Sequence, residues 1–91
     1  MSYVNIGFGN IINSDKIISV VSYDSSPIKR LLRTSQESGK VIDATQGRKT
    51  RSLIITDTGF VVVSALQPET IMSRLKGDNT EVIRGEEDEQ G

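Results

Sequence analysis

Hydrophobic and polar positions along the chain follow two rhythms, short β-branched runs and helical spacing. Val4 and Ile6, alternating with Tyr3 and Asn5, predict a short first strand. Gly7-Phe8-Gly9-Asn10 reads as a turn, Ile11-Ile12 resumes the apolar character, and Asn13-Ser14-Asp15 marks a second turn. Lys16-Ile17-Ile18-Ser19-Val20-Val21 is short and β-branched, the signature of a buried strand. Val41-Ile42-Asp43-Ala44 predicts a brief extended piece. Ser52–Thr56 and Phe60–Ala65 are the strongest strand signals, and Asp57-Thr58-Gly59 between them predicts a β-hairpin.

The helical rhythm occurs twice. Ser26 is positioned as an N-cap with Pro27 opening the helix, where its missing N–H costs nothing. Ile28, Leu31, Leu32 and Ser35 then recur at i, i+3, i+4 and i+7 as one buried stripe, and Gly39 suits the left-handed position after the last turn. Lys29, Arg30 and Arg33 share a neighbouring outward sector, so the exposed flank of this helix is basic. Pro68 opens the second helix, with Glu69 in its first turn, Ile71, Met72 and Leu75 as its apolar side, and Arg74 and Lys76 near its end before Gly77. The expected fold is a small α+β domain, an antiparallel-rich sheet with two helices packed on it.

Composition narrows the chemistry. The 91 residues include no His, no Cys and no Trp. Without Cys there is no disulfide framework or thiolate nucleophile, and without His no Ser-His-Asp triad or His-ligated metal. No catalytic residue, metal site or cofactor is expected, and no small-molecule substrate. No apolar run approaches the ~20 residues of a spanning helix, and the N-terminus lacks the pattern of a secretory signal. A cytoplasmic, non-membrane protein is the expectation.

The net charge of −1 averages two unlike parts. Residues 1–76 carry ten basic and six acidic residues, a net of +4, whereas residues 77–91 carry one basic and six acidic, a net of −5. The latter part has almost nothing apolar after Ile83, so residues 78–91 are expected to form a disordered acidic tail that serves solubility rather than competing for the basic surface. Residues 1–77 are the expected folded domain.

Three candidate sites follow. Gly7-x-Gly9 after a strand resembles the start of a dinucleotide fingerprint, but the third small position is Ile12 and no helix pattern follows, so it reads as a glycine turn. Asp43 lies in an apolar strand just before a basic loop, which suits a structural partner for Arg48 or Arg51 better than acid–base catalysis. The third is the basic cluster itself: Lys29, Arg30, Arg33, Lys40, Arg48, Lys49 and Arg51 stand against Glu37 and Asp43, a net of +5 within residues 27–51. Guanidinium forks and ammonium groups suit phosphate oxygens, and Gly47 lets the loop backbone approach one closely. Helix-turn-helix spacing is absent and aromatic platforms for single strands are scarce, so the backbone of duplex DNA is the better-fitting nucleic-acid partner. One subunit with so few contacts binds weakly at physiological salt. Repetition in a homo-oligomer multiplies the contacts, and the apolar strands exceed what two short helices can cover.

The segments N-I-G-F-G-N (5–10), S-P-I-K-R (26–30), D-A-T-Q-G-R-K-T-R (43–51) and S-A-L-Q-P-E-T-I (64–71) make residues 3–76 resemble the RemA family of bacterial extracellular matrix regulatory proteins. The resemblance implies a DNA-binding, nucleoid-associated transcriptional regulator that activates biofilm-matrix genes and assembles as a homo-oligomeric ring. It places DNA contact on Arg48, Lys49 and Lys16, the last two standing where the family has arginines; Lys keeps the charge but loses the bidentate fork. The family's helix-start proline falls on Pro27, which carries no charge to contact DNA and is assigned, with Gly7, Gly9 and Gly47, to fold and assembly. The rival reading is a structural or protein-interaction ring whose basic face meets an acidic partner.

Overall fold

The computed structural model describes residues 2–77; the expected acidic tail, 78–91, lies outside the described residues. The chain forms β1 (Tyr3–Asn5), β2 (Ile11–Asn13), a 3₁₀ turn at Ser14–Lys16, β3 (Ile17–Ser22), α1 (Ser26–Glu37), β4 (Val41–Asp43), β5 (Ser52–Thr56), β6 (Val61–Ser64) and α2 (Pro68–Leu75). β1 and β2 pair as a separate antiparallel hairpin. The remaining strands make one sheet in the order β3-β5-β6-β4. The expected β5–β6 hairpin is present, in the register Ser52↔Ser64 to Ile55↔Val61. β4 runs parallel to β6, so the sheet is mixed, a feature that short apolar runs do not encode.

Strand pleating sorts the core into two faces. Leu53, Val61 and Val63 are buried against Leu32, with Ile28 and Leu31 of α1 around them. Ile54 and Val62 face the opposite way, into a cluster with Val4, Ile6, Leu66 and Ile71. The sheet is therefore sandwiched, with α1 on one side and the β1–β2 hairpin with α2 on the other. At roughly 1.5–3 kcal/mol per fully buried aliphatic side chain, these two clusters are the main stabilising feature of the domain.

Local details depart from the sequence reading at several points. The N-cap of α1 is Ser25, whose hydroxyl accepts from the Ile28 N–H at 3.4 Å, and Pro27 sits one position further in than expected. Met72 is 43 % exposed, and Arg74 is buried in its place. Its Nη1 donates to the Asn5 carbonyl at 2.8 Å, tying α2 to β1. A register irregularity between Ile17 and Ser19 leaves Ile18 65 % exposed on the outer edge of β3.

Two buried hydroxyls lock the hairpin layer onto the sheet. Ser64 Oγ donates to the Ile6 carbonyl at 2.8 Å and accepts from the Leu66 N–H at 3.1 Å. Ser52, directly across the ladder, donates to the Leu66 carbonyl at 2.9 Å.

Candidate nucleic-acid interface

Both helices start at the same end of the sheet. β3 leads into α1 and β6 into α2, and the antiparallel register sets Ser22 beside Ser52 and Ser52 beside Ser64 at that end. The segment joining β4 to β5, residues 44–51, crosses there as well, and the tip of the β1–β2 hairpin meets it: Arg48 Cζ stands 5.7 Å from the centre of the Phe8 ring. One end of the domain thus gathers two helix N-termini and the basic loop.

The loop is fastened at both ends and open in the middle. Ala44 and Thr45 are buried at its start and Ser52 at its finish, while Gln46, Gly47, Arg48, Lys49 and Arg51 are exposed. Asp43 holds the start: its Oδ1 accepts from the Thr45 N–H at 2.9 Å and the Thr45 hydroxyl at 2.7 Å. The expected arginine counter-ion is thus a loop-capping residue, as Asp typically is near a turn. Arg48 N–H closes a tight turn onto the Thr45 carbonyl at 2.9 Å. Both central residues, Gln46 at φ +55° and Gly47 at φ +78°, have the positive φ of a I′-type turn. Nothing lies within 4 Å of where a Gly47 Cβ would be, so this backbone faces open space. At the other end Arg51 is zipped into the sheet, its N–H donating to Ser64 and its carbonyl accepting from the Tyr23 N–H.

The hairpin tip is shaped by its asparagines. Asn5 Oδ1 accepts from the Gly7 N–H at 2.7 Å and Asn10 Nδ2 donates to the Gly7 carbonyl at 2.8 Å. Phe8 is held at φ +55° between two glycines of positive φ, which aims its ring at Arg48. Gly7 and Gly9 thus form the turn that closes the β1–β2 hairpin.

The other candidate residues divide by position. Lys29 stands with the loop group, its Nζ 5.8 Å from the centre of the Tyr23 ring at the start of α1. Arg30 and Arg33 are exposed further along α1, and Pro27 is in its first turn. Lys16 lies at the opposite end of β3, paired with Asp57 at 4.0 Å. A six-residue strand separates it from Ser22, roughly 20 Å at ~3.3 Å per residue, so one subunit does not bring Lys16 to Arg48 and Lys49. Lys40 stacks over Phe60 at 4.9 Å, also away from the loop.

A further signal was overlooked in the sequence. The first turn of α1 contains no acidic residue, and Lys29 and Arg30 follow it immediately. The helix macrodipole is positive at that end, so the cations add to it instead of balancing it. An anion placed at that end is favoured by the dipole and by these cations together.

Residues 3–75 match the RemA-like family, described as extracellular matrix regulatory protein A-like. The chain belongs to the RemA-like family. It is 49 % identical over 79 residues, 87 % of this chain and 91 % of the relative, to a protein of Geobacillus thermodenitrificans (strain NG80-2) named "Putative regulatory protein". A similarly named protein of Symbiobacterium thermophilum is 49 % identical over 86 residues, 94 % of this chain and 90 % of that one. One of Halothermothrix orenii is 51 % identical over 79 residues, 87 % of this chain and 94 % of its own length. The names of these RemA-like relatives are regulatory, not enzymatic. Among the described residues no helix is long and apolar enough to cross a membrane, and no three acidic residues gather in a way that could hold a metal ion.

Proposed function

We propose that this RemA-like chain is a DNA-binding transcriptional regulator that activates extracellular-matrix genes from the cytoplasm, bound to the nucleoid. The observation that carries the reading is the joint placement of exposed Arg48, Lys49 and Arg51 with an α1 N-terminus that has no acid in its first turn. Phosphate oxygens are the anions that match guanidinium and ammonium groups presented in this way. Contacts are to the backbone, so DNA deformability outweighs base identity in the choice of site.

The assembled form in this proposal is a homo-oligomeric ring. Both outer strands of the sheet carry exposed apolar side chains, Ile18 on β3 and Ile42 on β4, with Ile11 of β2 beside Ile42 along a shallow apolar groove. Two unlike patches on opposite edges suit a head-to-tail contact, which generates a ring where the rotation between subunits closes. Repetition around the ring multiplies the loop contacts, and a neighbouring subunit is the route by which Lys16 reaches the same DNA.

Fluorescence anisotropy of a labelled duplex across a salt series tests the proposal. The log–log salt slope is about −0.9 for each phosphate neutralised, so Arg48→Ala and Lys49→Ala each flatten it and weaken binding. Duplex binding that ignores salt, or that survives both substitutions intact, rules the proposal out.

A further inference from the structure

A cleft of about 190 Å³ opens beside the loop, between the β3–α1 turn and the start of α2. Lys49 and Arg51 line it from the loop, with Thr50 between them, Tyr23 and Asp24 from the turn, and Gln67 from the α2 cap. Lys49, Arg51 and Gln67 are exposed at its mouth. Gln67 makes no side-chain capping bond to its own helix, which leaves its amide available. Among the described residues the one carboxylate–cation pair within 4.0 Å is Lys16–Asp57, so Asp24 lines the cleft without being ion-paired to Lys49 or Arg51.

We infer that this cleft seats one internal phosphodiester of the bound nucleic-acid strand per subunit. The inference rests on the DNA-binding reading above and adds Gln67, Thr50 and Asp24 to its contact set. Lys49 and Arg51 supply the charge, and the Gln67 amide and Thr50 hydroxyl supply directional donors. Asp24 sets the selectivity. Two cations and one carboxylate leave a balance of +1 in the lining, which matches the single charge of a diester. A terminal phosphate monoester, largely dianionic above its second pKa of about 6, or inorganic phosphate in its dianionic form at about pH 8, meets the Asp24 carboxylate with a second negative charge. The site thus prefers the interior of a strand to free phosphate or a strand end.

The full chain is used for two measurements. In the first, a labelled duplex without terminal phosphates is titrated with Gln67→Glu, which puts a negative charge in the cleft and removes no cation. Gln36→Glu makes the same formal change near the far end of α1. Gln67→Glu is expected to weaken binding by about tenfold, the scale of a charge-assisted contact, and Gln36→Glu by less than about twofold, as for an exposed charge elsewhere. Equal losses in the two variants overturn the inference. In the second, backbone amide spectra are followed with dimethyl phosphate and with inorganic phosphate at about pH 8, where the latter is dianionic. Thr50 and Arg51 amides are expected to move at lower concentration with the diester, and Asp24→Asn to abolish that preference. Tighter binding of inorganic phosphate by the unmodified chain, or no movement with either, also overturns it. If Arg48→Ala weakens duplex binding and Gln67→Glu does not, the cleft is refuted and the DNA reading stands. If the diester moves the amides but no duplex binds, the cleft stands and the DNA reading falls.

Discussion

Replacing Ser64 by alanine tests how the hairpin layer is held to the sheet. The Ser64 side chain is fully buried and serves two backbone groups, donating to the Ile6 carbonyl and accepting from the Leu66 N–H. Ile6 and Leu66 are themselves only 2 % and 3 % exposed, so water cannot replace the hydroxyl without opening the layer. Each orphaned buried group costs about 1–3 kcal/mol, and with some relaxation the pair costs about 2–4 kcal/mol. Domains are stable by only about 5–15 kcal/mol in total. With a urea m-value of about 1 kcal/mol/M for a chain this small, the unfolding midpoint falls by about 2 M or more. The assay is urea unfolding followed by circular dichroism at two protein concentrations, because the proposed association would add a concentration-dependent contribution to stability. Ser52→Ala is the internal comparison: it removes one donor to the Leu66 carbonyl and should cost about half as much. A Ser64→Ala loss below about 0.5 kcal/mol, or one smaller than that of Ser52→Ala, refutes the account of hydroxyls as the clamp.

Three other outcomes follow from the same structure. Gly7→Ala is destabilising by about 1–2 kcal/mol in thermal or urea unfolding, because Gly7 is at φ +113°, while its new Cβ meets Leu66 at an ordinary 3.5 Å and adds no clash. Ile42→Asp, on a half-exposed edge position, leaves subunit stability within about 0.5 kcal/mol but lowers the sedimentation coefficient by blocking association. Lys16→Gln changes stability by less than about 0.5 kcal/mol, since its pair with Asp57 spans 4.0 Å between half-exposed groups; on the proposed ring, where a neighbouring subunit would present that charge to the same DNA, duplex affinity nevertheless falls.

What was legible in the sequence follows physical range. Turns written in local chemistry were readable: Asp57-Thr58-Gly59 closes the β5–β6 hairpin, and Gly7-Phe8-Gly9-Asn10 closes the first one. So was the α1 stripe, where Leu32 is buried and Lys29, Arg30 and Arg33 are exposed. The misreadings involve contacts distant in the chain. Arg74 looked like a helix-terminal cation and is buried because the Asn5 carbonyl, far away in sequence, accepts from it. Ile18 looked like a core residue until the irregularity in β3 turned it outward. The parallel pairing of β4 with β6 depends on a crossover that no local pattern announces. For the candidate site, the identity of the basic loop was legible. Its company was not, because the Tyr23, Asp24 and Gln67 side of the cleft comes from two other connections.

The loop's anchoring separates two kinds of selective pressure. Buried Ala44, Thr45 and Ser52 hold its ends, whereas Gln46, Arg48 and Lys49 stand exposed between them. Exchanging an exposed side chain away from special backbone geometry shifts stability by only about 0.5 kcal/mol, whereas on the proposed ring each gained or lost phosphate contact would be multiplied around the oligomer. Grip on a polyanion can therefore drift over a wide range, by substitutions at two or three positions, in a lineage whose fold never changes. On the DNA-binding proposal, Lys49, standing where the resemblance implies an arginine, is one such adjustment, a graded control on binding strength that the core does not feel.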